Sequence, residues 1–218
     1  MMAKVPSSSQ SSLARSLADA DAADDGEHEA VRRSGPHVKL GGVAREDALA
    51  RLLHENFRMV WRALRRLGVP QHAVDDAAQE VFLVASRKLE AIEEGQERRY
   101  LYGVALRVAA NARRARAARP ETPLSELVEE TASATPSPEA LLDRKRAREL
   151  LDEALEQLPD DLRSAFVLFE LEGCSGPEVA ELCDIPLGTA ASRLRRAREA
   201  FQAAVTELGR RLKRGGEP

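Results

Sequence analysis

Apolar residues recur at helical spacing from Ala48 onward. Leu49, Leu52, Leu53, Phe57, Val60, Trp61, Leu64 and Leu67 hold one face for about five turns, and Gly68 and Pro70 end the run. A second stripe runs through Val74, Ala77, Ala78, Val81, Phe82 and Ala85. Gly95 breaks the stretch after it, and a third stripe follows in Leu101, Val104, Ala105, Val108 and Ala112. Three amphipathic helices with short connections predict a compact helical domain over 44–118. Helical spacing resumes in Leu141, Leu142, Leu150, Leu151, Ala154, Leu155 and Leu158, and stops at Pro159. No strand-type alternation persists anywhere. The expected fold is all-α, with two small helical domains on a flexible tether.

The end of the chain carries a more specific pattern. Ser175 followed by Glu178 fits a capping box, with Pro177 tolerated in the first turn. The short helix it opens would bury Val179, Ala180 and Leu182. "CDIP" then turns the chain, and a longer helix is expected from Leu187 or Gly188. A short supporting helix, a tight turn and a longer second helix are helix-turn-helix spacing. The second helix would bury Ala190, Leu194, Ala197 and Phe201. That leaves Thr189, Ser192, Arg193, Arg195, Arg196 and Arg198 largely off the buried face.

Charge sharpens this picture. The chain has 218 residues and a formal net charge of −3, but the charge is segregated. Residues 70–94 carry six acids and two bases (−4), and 95–119 carry one acid and seven bases (+6). Residues 121–161 carry twelve acids and four bases (−8), and 186–214 carry two acids and eight bases (+6). Blocks of this kind mark surfaces with different partners. Duplex DNA presents a phosphate charge about every 1.7 Å of axis, and its major groove admits one helix. Arginines on such a helix reach guanine edges or phosphates, and Thr189 and Ser192 add short hydroxyls. An ordinary surface helix decorated with arginine is the competing reading.

Two further stretches carry candidate chemistry. "VDDAAQEVFLVASRKL" places Asp75, Asp76, Gln79 and Glu80 on one polar arc opposite Val74, Ala78, Val81, Phe82 and Ala85. An acid-and-amide face suits docking against a protein helix better than DNA. Paired carboxylates also serve acid–base catalysis. No nucleophile, metal partner or cleft signature accompanies them, so an enzyme is not expected. In "ERRYLYGVALRVAANARRARAAR", Arg98, Arg99, Tyr100 and Tyr102 precede Arg107, Asn111, Arg113, Arg114 and Arg116. Basic residues beside aromatics suit a nucleic-acid surface on which bases stack, unless both tyrosines are core.

The remaining features narrow the reading. Residues 1–43 are rich in Ser, Ala and Gly with clustered acids, which reads as a disordered tail. Residues 119–138, with Pro120, Pro123, Pro136 and Pro138, have linker composition, and 209–218 reads as a basic C-terminal tail. Cys174 and Cys183 are the only cysteines, read as reduced residues packed like small hydrophobes. All four histidines lie far upstream of them, so no metal site and no cofactor is expected. With no signal-peptide core and no apolar run near the ~20 residues of a membrane span, the expected location is the cytoplasm.

Taken together, "FRMVWRALRRLG", "DDAAQEVFL", "YLYGVALRVAAN" and "ALEQLPDDLRSAFVLFELEGCSGPEVAELCDIPLGTAASRLRRARE" resemble the extracytoplasmic-function group of the sigma-70 family of bacterial RNA polymerase sigma factors. The resemblance covers roughly 46–118 and 140–206. It implies that Asp75, Asp76, Gln79, Glu80 and Phe82 dock on core RNA polymerase. It implies that Arg98, Arg99, Tyr100, Arg107, Asn111 and Arg114 lie in the part that captures the minus-ten promoter element. It implies that Ser175, Thr189, Ser192, Arg193, Arg195 and Arg196, within residues 139–208, read the minus-thirty-five element. Promoter DNA and core polymerase are then the partners, and proteins of this type are often held inactive by an anti-sigma protein. The chain departs from the family's habits at Tyr100, where a tryptophan is usual. It departs again in the acidic loop 91–97, where a Ser- or Thr-containing loop is usual, and at Ala191, where a lysine is common. Two rival functions stay open at this level: a helix-turn-helix regulator that works without polymerase, and a degenerate helical adaptor that binds only protein.

Overall fold

The computed structural model describes residues 42–118 and 138–215. The first 41 residues and 119–137, read above as tail and linker, lie outside the described residues. Those described form seven α-helices and no strand. They are α1 (Gly42–Arg66), α2 (Gln71–Arg87), α3 (Glu97–Ala118), α4 (Pro138–Glu156), α5 (Asp160–Phe166), α6 (Gly176–Leu182) and α7 (Leu187–Gly215). They fall into two compact units, α1–α3 in one and α4–α7 in the other.

In the first unit α1, α2 and α3 pack pairwise. Val60, Leu64, Leu67, Val74, Val81 and Leu101 are fully enclosed, and Ala63, Ala77, Ala78, Ala85, Ala105 and Ala109 fill the spaces between them. Alanine at so many facing positions lets helix axes approach toward the lower end of the usual 8–10 Å range. The α1–α2 junction follows from Gly68. At φ +90° it closes a Schellman motif in which Val69 N–H donates to Leu64 O at 3.0 Å and Gly68 N–H to Arg65 O at 2.9 Å. Pro70 then stands at the N-cap of α2. Trp61 Nε1–H donates to Asp75 Oδ1 at 2.9 Å, and Arg113 donates to Leu67 O, so polar ties fasten α2 and α3 to α1.

In the second unit α7 is the hub against which α4, α5 and α6 pack. Phe166 and Phe201 stack at its centre with ring centroids 4.6 Å apart. The C-terminus of α4 is capped by the buried side chain of Arg163. Its Nε donates to Leu155 O at 2.7 Å, and its Nη2 donates to Glu156 O at 2.8 Å and Leu158 O at 3.3 Å. A guanidinium there satisfies carbonyls that the helix leaves open and complements the negative end of its dipole. After α5 the chain widens into a π turn (Val167–Leu171) and leaves it through Gly173 at φ +74°. The fold differs from the pattern reading at the C-terminus. Residues 209–215, read as a tail, continue α7, whose inner face stays buried as far as Leu208.

Candidate functional site

The helix-turn-helix is α6, its turn and α7. Ser175 caps α6 as the spacing predicts. Glu178 N–H donates to Ser175 Oγ at 3.4 Å, and the Ser175 N–H and hydroxyl donate to Glu178 Oε2 at 2.7 and 2.6 Å. The hydroxyl of Ser175 is therefore spent within the cap. The turn is a second Schellman motif, with Ile185 N–H donating to Ala180 O at 2.9 Å and Asp184 N–H to Glu181 O at 3.1 Å. Its left-handed position is filled by Asp184 at φ +52°, not by glycine. Asp tolerates this region better than most residues.

On α7 the buried face is the expected one: Ala190, Leu194, Ala197 and Phe201. The arginines divide into two kinds, which the sequence does not distinguish. Arg193 Nε lies 3.3 Å from Asp161 Oδ2 on α5, with about a quarter of its side chain exposed. Arg198 turns toward the unit's interior, with about a quarter of its side chain exposed. Its Nε donates to Glu170 Oε1 at 2.6 Å, and its guanidinium sits 5.3 Å from the Phe169 ring centroid. Glu170, in the π turn, has a fully buried side chain. Arg195 is exposed and pairs along the helix with Glu199 at 2.9 Å, and Arg196 is exposed on the solvent side of α7. Thr189 is half-buried, and the exposed Ser192 donates its hydroxyl to Thr189 O at 2.9 Å.

The other basic stretch forms α3. Tyr100, Arg107, Asn111 and Arg114 stand at offsets of about 7, 11 and 14 from the first, which is one helix face. Arg98 and Arg99 belong to the first turn beside it, and Arg98 Nη2 donates to Tyr102 Oη at 3.4 Å. Of the two tyrosines, Tyr102 is core and Tyr100 is half-buried. Arg107 Nε donates to Gly103 O at 3.0 Å, and Arg114 donates to Asn111 Oδ1. The loop before α3 turns at Gly95, with φ +81°.

The acidic arc of α2 is exposed at Asp75, Asp76, Gln79 and Glu80. Asp75 is the acceptor for Trp61, and Phe82 is buried at 5% exposure and stacked on Phe57 with centroids 6.3 Å apart. Asp76 and Glu80 instead edge a groove of about 310 Å³ between α2 and α3, floored by Ala77, Val108 and Ala112 and bordered by Asn111. The structure thus brings Asn111, on the basic helix, to the same groove as the two carboxylates. An apolar floor with two carboxylates at its edge accommodates the stem and head of a long cationic side chain. Among the described residues, no group of His, Cys, Asp and Glu side chains could hold a metal ion, and no helix is long and apolar enough to cross a membrane. Burial pushes the Cys183 thiol up, while Arg193 pulls it down.

Comparison with known proteins places these units. The family pattern "Sigma-70 region 2" matches residues 52–119, and "Sigma-70, region 4" matches 148–201. The chain is 36% identical over 151 residues to the "ECF RNA polymerase sigma-E factor" of Escherichia coli K12, covering 66% of this chain and 79% of that protein. It is 32% identical over 148 residues to the protein of the same name from Haemophilus influenzae, covering 64% and 78%. Among solved structures it resembles CnrH in complex with the cytosolic domain of CnrY, with TM-score 0.53 and 21% identity over 91% of this chain and 97% of that one. It also resembles the sigma factor RpoE of Bartonella quintana in complex with the anti-sigma factor NepR, with TM-score 0.54 and 18% identity over 72% and 96%. At these identities the structural likeness concerns the fold.

Proposed function

The chain belongs to the extracytoplasmic-function sigma factors of the sigma-70 family, and from that membership we propose how its two units divide the work. The first unit (residues 44–118) binds core RNA polymerase and holds the minus-ten element; the second (139–208) reads the minus-thirty-five element. The chain acts in the cytoplasm as a promoter-specificity subunit and not as an enzyme in itself. The observation that carries this reading is the pairing, in one chain, of a carboxylate-edged groove on α2 and an outward-facing helix-turn-helix on the other unit. A regulator working without polymerase has no use for the groove.

Within this assignment the residues take different roles. Asp76, Gln79 and Glu80 meet a basic or mixed helix of the polymerase, with Asp75 and Phe82 fixing α2 on α1 behind them. Tyr100, Arg107, Asn111 and Arg114 face DNA, where the half-buried Tyr100 offers a ring for an unstacked base. Opening a base step costs a few kcal/mol, which stacking and capture offset. Arg195 and Arg196 reach phosphates or guanine edges in the upstream groove, and Arg193, tied to Asp161, holds the helix that carries them. An anti-sigma protein is a further partner, consistent with the complexes in which the fold's solved relatives are found.

The test is charge reversal. The Asp76→Lys, Glu80→Lys variant is expected to retain its helical circular dichroism and to lose at least tenfold in affinity for core polymerase, read by co-purification and by titration of labelled protein. Unchanged association would refute the assignment of the groove.

A further inference from the structure

The exposed side of α7 begins with two rows of side chains, Leu187–Ala191–Arg195 and Gly188–Ser192–Arg196. In each, the first two positions carry no charge and the third is an arginine. We propose that the tip of α7 reads thymine: Leu187 and Ala191 pack on thymine C5-methyl groups in the major groove and set part of the specificity of the upstream promoter element. The inference rests on the reading of α7 as the helix that enters the duplex, and it names what that helix recognises.

Three observations lead there. Leu187 is 54% exposed at the first position of α7, and Ala191, one turn on in the same row, is exposed as well. Three polar side chains near this end already have partners within the protein. Ser175 is spent in its capping box, Ser192 donates to Thr189 O, and Arg193 pairs with Asp161. The first arginines available for hydrogen bonding to bases stand about 12 Å along the helix from Leu187. Finally, the tip is lean, since a Cβ at Gly188 would meet nothing within 4 Å, so the backbone can approach the floor of a groove.

Only one base-edge feature of the major groove is apolar, the thymine methyl group. Leu187 and Ala191 are separated by about 6 Å along the helix, close to two base steps of about 3.4 Å. They therefore reach pairs up to two steps apart. One leucine and one methyl group, bounded by Gly188, Ser192 and two arginines, make far less than the few hundred Å² of a protein-docking patch. The contact would stand where the family commonly carries a lysine, at Ala191.

The test uses holoenzyme reconstituted from the full chain and core polymerase. Promoters are selected from random duplex DNA, and the protected upstream element is mapped. Each thymine of that element is then replaced by deoxyuridine, which lacks only the methyl group. At one or two positions the replacement is expected to weaken binding about fourfold, the worth of one buried carbon. Leu187→Ser should bind the thymine element more weakly by a similar factor and be indifferent to deoxyuridine at the position Leu187 covers. An element that contains no thymine, or one insensitive to deoxyuridine at every position, overturns the inference. So does a Leu187→Ser protein as sensitive as the parent. A protected element with any of these results leaves the helix-turn-helix assignment standing. Holoenzyme that protects no upstream element overturns both.

Discussion

Four arginines crowd residues 193–198, and their neighbours decide what each one does. Arg198 compensates the buried Glu170 carboxylate, whose second oxygen, Oε2, has no hydrogen bond among the described residues. Arg196 faces water. Removing one partner of a buried pair leaves an uncompensated charge, at a cost of 3–5 kcal/mol in typical cases. Arg198→Ala is therefore expected to lose about 3 kcal/mol of stability in urea unfolding, while the salt dependence of DNA binding by the holoenzyme stays as it was. Arg196→Ala should do the opposite. It keeps the urea midpoint, weakens promoter binding, and lowers the slope of log K against log salt by about one. The Cys183 thiol responds at the same scale. Burial holds it in its neutral form, so the folded state gains from it below the unfolded thiol's range and loses that gain as pH rises toward the higher folded value.

Among the elements, α4 and the α6–α7 turn depend most visibly on single side chains. Arg163→Met removes three donors from the end of α4 while keeping most of the buried stem. Hydrogen bonds to charged groups contribute about 1.5–3 kcal/mol each net of water, so a loss of at least about 3 kcal/mol is expected in urea unfolding followed by circular dichroism. Element positions were legible in the sequence for local reasons. Gly68, Pro70, Pro159 and the Ser175–Glu178 pair mark helix ends by their own backbone and capping chemistry, and Ala190, Leu194, Ala197 and Phe201 share a face by spacing alone. The ties of Arg163, Arg193 and Arg198 were not legible. A guanidinium reads as surface charge until the fold brings it to Leu155, Asp161 or Glu170, and Glu170 itself sits 28 residues before its partner. Phe82, which the pattern set on the apolar stripe and the resemblance assigned to polymerase docking, is buried and stacked on Phe57.

At the level of the molecule, the net charge of −3 describes neither surface that matters. In the proposed assignment the basic faces on α3 and α7 attract DNA, while the acidic edge of α2 repels it and suits a protein. Each DNA contact is small by itself. Joined through one chain to one polymerase, they gain the effective concentration of a tethered pair, worth about 10²–10⁴ in avidity. The isolated protein is therefore expected to bind a promoter duplex at least about a hundredfold more weakly than the holoenzyme at equal salt. Equal affinities in an anisotropy titration would remove polymerase from the account.

The alanines that space α1, α2 and α3 also govern how this unit tolerates change. Ala63, Ala78, Ala85, Ala105 and Ala109 have almost no side chain left to lose, so the usual hazard of hollowing out a core hardly applies along these seams. The hazard is swelling: even one or two added carbons force neighbouring backbones apart, at about 1–3 kcal/mol per site. Drift in this half of the chain is thus confined to substitutions little or no bulkier than a methyl group, with glycine and serine the nearest neighbours, and its interior will look frozen in size while its surface remains free to diverge.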